Sequence, residues 1–464
     1  MVEKQGSETG WVLVAVGVGT FMSALDSSVV NTILPVLRRT FNSDIAAIEW
    51  VVTVYLLVIS GLLLSFGRLG DMRGNKAVYV GGFGVFVVSS MVCGLAPTVS
   101  VLVAARSVQA LGGAMLAANS PAILTKTFPS SRRGQALGIQ AMITYLGLVV
   151  GPSLGGWLAT QLSWRAVFYI NVPVGLLALL LSLKVIPGDA THENQERFDF
   201  AGAALFTAGL MALLLGLNRG HIWGWASPVT LGVLALALGL LAVFVVIESR
   251  VPDPMLDLSL FRVRVFSAAT VSAILNYVCL YSIVFLMPFY LIQGRGLTAA
   301  QAGAILTGQP LVMALVAPLS GALSDKLGSR LLSTLGMGVL ACALFLYSRL
   351  GAGTSLTQVM LTMACSGLGV GLFASPNTSA LMGAASRRRQ GIAASIMATA
   401  RTVGMALGIG FTGAVFNTVL AQGTPAGASS TLFAATHVSF LAVIAVALLG
   451  MVTSAVRGNA GTAV

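Results

Sequence analysis

Fourteen continuous apolar stretches divide this chain, and no other feature limits its fold as strongly. They cover roughly 11–36, 49–69, 77–97, 100–124, 134–158, 165–187, 199–218, 228–249, 265–293, 301–323, 330–349, 355–381, 391–416 and 431–456. A helix needs about 20 apolar residues to cross the hydrocarbon core of a bilayer. Within that core only helices and closed barrels satisfy their own backbone. Barrel strands are runs of about ten residues with alternating polarity, unlike these long unbroken stretches. The sequence therefore predicts an all-α integral membrane fold of 14 transmembrane helices, numbered here as spans 1 to 14. Composition agrees: 9% of the 464 residues are charged, against about 25% in a soluble domain.

The formal charge of +12 does not point to nucleic acid, because no basic face or motif set accompanies it. The basic residues fall in short clusters between spans. With the N-terminus placed inside, inner segments hold 18 Lys and Arg and outer segments 6; Arg106 and Arg401 lie within spans. That asymmetry predicts both termini in the cytoplasm. The first apolar run is too long for a signal-peptide core and contains Asp26, so it reads as an uncleaved span. Cys93, Cys279, Cys342 and Cys365 all lie in apolar runs with no Cys-x-x-Cys pair, which predicts buried thiols and no metal site. No Gly-Lys-Ser/Thr phosphate loop exists, so ATP is not the direct energy source.

The chain repeats itself. The turn after span 2 carries Gly67, Asp71, Gly74 and Lys76; the turn after span 10 carries Gly321, Asp325, Gly328 and Arg330 at the same spacing. Gly134, Gly147, Gly151 and Gly156 of span 5 align with Gly391, Gly404, Gly408 and Gly413 of span 13. Two pseudo-symmetric six-helix bundles follow, 1–187 and 265–464, with an inserted transmembrane hairpin and flanking loops at 188–264. Parallel halves with a midplane site between them suit a transporter that rocks.

Asp26 is the only acid deep in a span. A charge there costs about 2.5–3.5 kcal/mol on insertion scales. It is read as a proton-coupling or cation-recognition group, or as a structural carboxylate tied to donors such as Ser27. Arg106 in span 4 sits at similar depth and is read as its partner, or as a structural arginine bonded to carbonyls. Asp71 follows a helix C-terminus, where an acid is disfavoured. An inner-side contact to the N-terminus of span 13 would compensate it, making Gly67, Asp71, Arg73, Gly74, Lys76 and Asp325 a conformational latch. The alternative is a solvated turn. Gly147, Gly151, Pro152, Gly155 and Gly156 form a helix-packing motif. Asn31, Tyr55, Gln109, Tyr145, Asn276, Tyr277, Tyr281, Gln309, Asn377 and Arg401 are candidate substrate contacts or interhelical glue, and Arg401 would meet an anionic group or carbonyls. His437 is read as structural.

These residues resemble the major facilitator superfamily, and within it the 14-span drug/proton antiporter branch of the EmrB/QacA type. The resemblance rests on Gly67–Lys76, Arg106–Gly113, Gly147–Gly156, Leu25–Pro35 and the Trp164–Gly175 segment. It departs at Met72 and Asn75, where the pattern has basic residues. It implies proton-driven export of hydrophobic, often cationic small molecules, in the cell membrane, by a monomer with no cofactor beyond the proton gradient. The alternative is a transporter of one defined metabolite or vitamin. A membrane enzyme or sensor would need a catalytic constellation or an output domain, and the sequence carries neither.

Overall fold

The computed structural model describes residues 2–188, 197–421 and 428–458. Among them, 14 helices are long and apolar enough to cross a membrane. Spans 1 to 5 are Val2–Phe41, Ile45–Arg73, Asn75–Leu95, Val99–Thr127 and Arg133–Gln161. Span 6 is Asn171–Val185, after a short turn of helix at Ala166–Tyr169. The hairpin is Phe200–Trp223 and Pro228–Glu248. Spans 9 to 14 are Arg264–Pro288, Gly308–Leu327, Ser329–Ser348, Leu356–Ala384, Gln390–Ala421 and Ala428–Val456. The first helix starts well before the apolar run because helix propagation past a formed turn is cheap.

Side-chain caps start many of these helices. Asp44 accepts from the Ala47 amide and Thr98 from Val101, each holding one of the orphan donors of a helix N-terminus. Gly74 and Gly328 make the tight turns at the ends of spans 2 and 10 with φ of 97° and 83°. This left-handed backbone favours glycine, and it occurs at both repeat positions.

The two halves interlock through spans 2 and 13 on one side and spans 5 and 10 on the other. Glycine makes each approach possible. A Cβ on Gly391 would strike the Gly67 carbonyl and a Cβ on Gly321 the Gly134 carbonyl, and the reciprocal collisions also hold. Within each half, the span 5 glycines lie on span 1 and the span 13 glycines on span 9. Gly147 faces Ala24, Gly151 faces Ser28 and Gly155 faces Val29; Gly404 faces Ile274 and Gly408 faces Val278. Two members of the expected packing motif do not share this face. Gly156 has no neighbouring atom that a Cβ would meet, and Pro152 is exposed. Helical periodicity explains both, since each is one residue past a contact glycine and so is turned away from the shared face.

The hairpin packs on the outside of spans 2 and 13. Thr207 Oγ1 donates to the Gly61 carbonyl at 3.0 Å, Arg219 pairs with Glu49 at 3.4 Å, and Trp225 stands against Gly410. Only 17% of the most apolar window of the second hairpin helix is buried, so that helix presents its surface outward. The cysteines are all free; Cys93 and Cys279 are buried, whereas Cys342 is exposed and Cys365 half-buried, not buried as the apolar runs suggested.

Candidate functional site

Asp26 lies inside the first half, 2% exposed. Arg106 Nη1 donates to its Oδ2 at 2.6 Å. Gln109 Nε2 and Asn171 Nδ2 donate to its Oδ1 at 3.1 and 2.9 Å. Arg106 also donates to Gln109 Oε1 at 2.6 Å and to the Val51 carbonyl at 3.3 Å, and its guanidinium stacks 4.1 Å over the Tyr55 ring. Gln109 continues the network to Ser90 Oγ at 2.8 Å. Spans 4 and 6 thus hold the carboxylate of span 1, and both of its oxygens have partners. Such a network is strong when complete and costly when one member is lost. Ser27, the donor suggested by adjacency, instead bonds the Ser23 carbonyl. Neither carboxylate oxygen is free for a substrate, so direct cation recognition by Asp26 is corrected for this conformation.

At one end of the bundle the repeat produces a symmetric pair of contacts. Asp71 Oδ1 and Oδ2 accept from the Gly391 and Ile392 amides at 2.8 and 2.9 Å. Asp325 Oδ1 and Oδ2 accept from the Gly134 and Gln135 amides at 2.8 and 3.0 Å. Each carboxylate caps a helix N-terminus of the opposite half, where the macrodipole favours an anion. Ser395 Oγ donates to the Leu63 carbonyl and Ser375 Oγ to the Gly134 carbonyl, also across the halves. Arg387 adds a donor to the Lys126 carbonyl at 3.3 Å. Of Arg73 and Lys76, expected in this contact, Arg73 is exposed and Lys76 Nζ bonds the Leu183 carbonyl of its own half.

The candidate cavity residues separate into three groups. Tyr55 and Gln109 belong to the Asp26 network. Asn276, Gln309 and Asn377 are buried inside the second half, bonded to Met337 Sδ, Ser366 Oγ and the Ala269 carbonyl; the contacts of these five are those of the interhelical-glue alternative, because each is engaged with a neighbouring helix. Asn31 is exposed on span 1. Tyr145, Tyr277, Tyr281 and Arg401 come together from both halves near mid-height. His437 Nδ1 meets the Ser348 carbonyl at 2.6 Å, a structural contact.

The family profile described as Major Facilitator Superfamily matches residues 16–409 and, separately, 269–463. The chain belongs to the major facilitator superfamily. As a member it is a multi-pass membrane transporter and not an enzyme. The second match covers the C-terminal half by itself, as the internal repeat requires. Among curated proteins, the riboflavin transporter RibZ of Clostridioides difficile is 33% identical over 406 residues, 87% of this chain and 88% of its own. The multidrug resistance protein Stp of Mycobacterium tuberculosis is 34% identical over 406 residues, 87% of this chain and 75% of its own. Among solved structures, the human organic anion transporter MFSD10 (TETRAN) shares the fold at a TM-score of 0.70 and 15% identity, covering 96% of this chain and 99% of that one.

Some residues that build this superfamily member's site carried no sequence signal of their own. Asn75 stands where the loop pattern has a basic residue; it is buried, donates to Asn119 Oδ1 at 2.8 Å and accepts from Lys126. Lys126 therefore brings to the turn the charge that position 75 lacks. Arg457, counted as a loop cation, is buried and donates to Asn377 Oδ1 at 3.0 Å and Ser333 Oγ at 3.1 Å. Burial and the Arg330 charge push its guanidinium down to about 10, so it remains charged at neutral pH. Asn171 lay within a quoted motif, but its bond to Asp26 bridges 145 positions and only folding brings the two together.

Proposed function

We propose that the chain is a proton-driven antiporter of the multidrug type, exporting hydrophobic small molecules across the cell membrane by alternating access. The observation that carries the proposal is the pair of carboxylate caps, Asp71 on span 13 and Asp325 on span 5. They tie the halves together at one end only, through bonds that rocking can break. The excess of Lys and Arg in alternate segments supports that end, and both termini, facing the cytoplasm. Stp, a multidrug resistance protein, supports the efflux reading. In this reading the protein works as a monomer, and Asp26 is the proton acceptor. Protonation of Asp26 removes the charge that holds Arg106 and loosens span 1 against spans 4 and 6. A second reading, transport of one metabolite, is favoured by RibZ, which aligns over 88% of its length.

The test uses purified protein in proteoliposomes with an imposed pH gradient. Concentrative movement of hydrophobic dyes of several ring systems, collapsed by a protonophore, is the expected result. Movement of riboflavin alone would transfer the assignment to the second reading; no dependence on the gradient would remove proton coupling.

A further inference from the structure

We infer that Arg401 is the charge that selects the substrate, and that the site it serves takes aromatic compounds bearing an anionic group such as a carboxylate, sulfonate or phosphate. This deepens the transporter reading and rests on it.

The inference starts from where the negative charges are. The chain has 14 acidic residues. Asp26 is closed into the first half, with its side chain 0% exposed and both oxygens occupied. Asp71 and Asp325 cap helices at one end of the bundle. Glu49 pairs with Arg219, and Asp257 with Arg389. Among the described residues, no carboxylate pairs with Arg401.

Arg401 is 11 residues beyond the start of span 13 at Gln390. At 1.5 Å per residue that is about 17 Å, near the middle of a core about 30 Å thick. It is half-buried. It precedes by about one turn Gly404, whose face lies against the Ile274 carbonyl and the Tyr277 side chain. It lies close enough to Tyr145, Tyr277 and Tyr281 for its charge to act on all three hydroxyls. Tyr145, from the other half, packs in one apolar cluster with Tyr277 and Tyr281.

The result is a cation at membrane mid-depth, beside a cluster of three tyrosines from both halves, with no carboxylate among the described residues paired to it. An intramembrane charge is costly until a partner meets it. An anionic group on the substrate supplies that partner through charge-assisted hydrogen bonds to the planar guanidinium. The rings supply flat apolar surface to an aromatic body. A cationic compound meets a like charge here, so the preference is opposite to the cationic one implied by family resemblance.

The test uses two xanthene dyes of one ring system and opposite charge, carboxyfluorescein and rhodamine 6G, with full-length purified protein. Binding is read by fluorescence anisotropy. Wild-type protein is expected to bind carboxyfluorescein more tightly than rhodamine 6G. Arg401→Gln should lose carboxyfluorescein affinity by about 30-fold or more, as for truncation of a buried charge partner. Its rhodamine 6G affinity should hold or rise, and Arg401→Lys should keep much of the anion binding. Preference for rhodamine 6G in wild type, binding of neither dye, or equal anion binding by Arg401→Gln overturns the inference. If Arg401→Gln does not fold, wild-type affinity for the methyl ester of carboxyfluorescein decides. An ester that binds as well as the acid overturns the inference, and a much weaker ester supports it. Proteoliposomes under a pH gradient separate this from the parent reading. Arg401-dependent binding without gradient-driven movement sinks the antiporter and leaves the selectivity. Movement that ignores Arg401 sinks the selectivity alone.

Discussion

Asp26 and Arg106 are mutually dependent. Removing one partner of a buried ion pair leaves the other unpaired, at a cost of about 3–5 kcal/mol. Arg106→Ala should therefore lower the yield of folded protein, read by monodisperse elution in size-exclusion chromatography. Asp26→Asn should abolish gradient-driven transport and also strain the fold, because Arg106 stays charged. The double variant Asp26→Asn, Arg106→Gln should recover thermal stability without recovering transport. Full concentrative transport by any folded variant lacking the Asp26 carboxylate would remove this residue from the proton path. Arg457 should matter for stability alone. Arg457→Ala loses two charge-assisted bonds of about 1.5–3 kcal/mol each before relaxation, so melting temperature should fall while the dye affinities of surviving protein stay unchanged.

Spans 5 and 13 meet the opposite half through glycines that face backbone carbonyls, Gly134 and Gly138 in span 5 and Gly391 in span 13. Gly134→Val and Gly391→Val should each block closure at the seam, since a side chain there meets the carbonyl of Gly321 or Gly67. Gly156→Ala, one residue past the contact glycine Gly155, is expected to be silent because position 156 faces open space. Transport assays on the seam variants and on Gly156→Ala check the distinction; a defect in Gly156→Ala with normal yield would show that this face contacts something during the cycle. The hairpin is a different kind of element. Its first helix leans on spans 2 and 13 and its second faces outward, so apolar swaps along Pro228–Glu248 should alter yield and leave substrate preference intact. Clustered substrate-specific defects there would place the hairpin in the path.

For the whole molecule, the balance between states turns on two equivalent carboxylate caps. Each charge–dipole contact contributes about 0.3–1 kcal/mol, rising towards 2 when partly buried. Asp71→Asn and Asp325→Asn should act alike, and together they should shift the population away from the closed end. At about 1 kcal/mol each the combined shift is about 30-fold. Cysteine-accessibility labelling near Ser395 and Ser375 reports it. Equal labelling in the double variant and wild type would mean that glycine packing and not the caps holds the seam. Sequence alone determined that there are 14 spans, that two halves repeat, that Asp26 and Arg106 share a depth, and that Asp71 either finds compensation or lies in a solvated turn. Each of these follows from local cost: apolar length, glycine spacing, and charges that lipid does not tolerate unpaired. Tertiary structure decided which polar residues face one another. Tyr55, Gln109, Asn276, Gln309 and Asn377 look alike in sequence to Tyr145, Tyr277 and Tyr281, since all are polar or aromatic residues in apolar helices. Only the rotation of each helix against its neighbours separates those that bond inside a half from those that meet Arg401 between halves. That rotation is set by long-range packing, which no local pattern encodes.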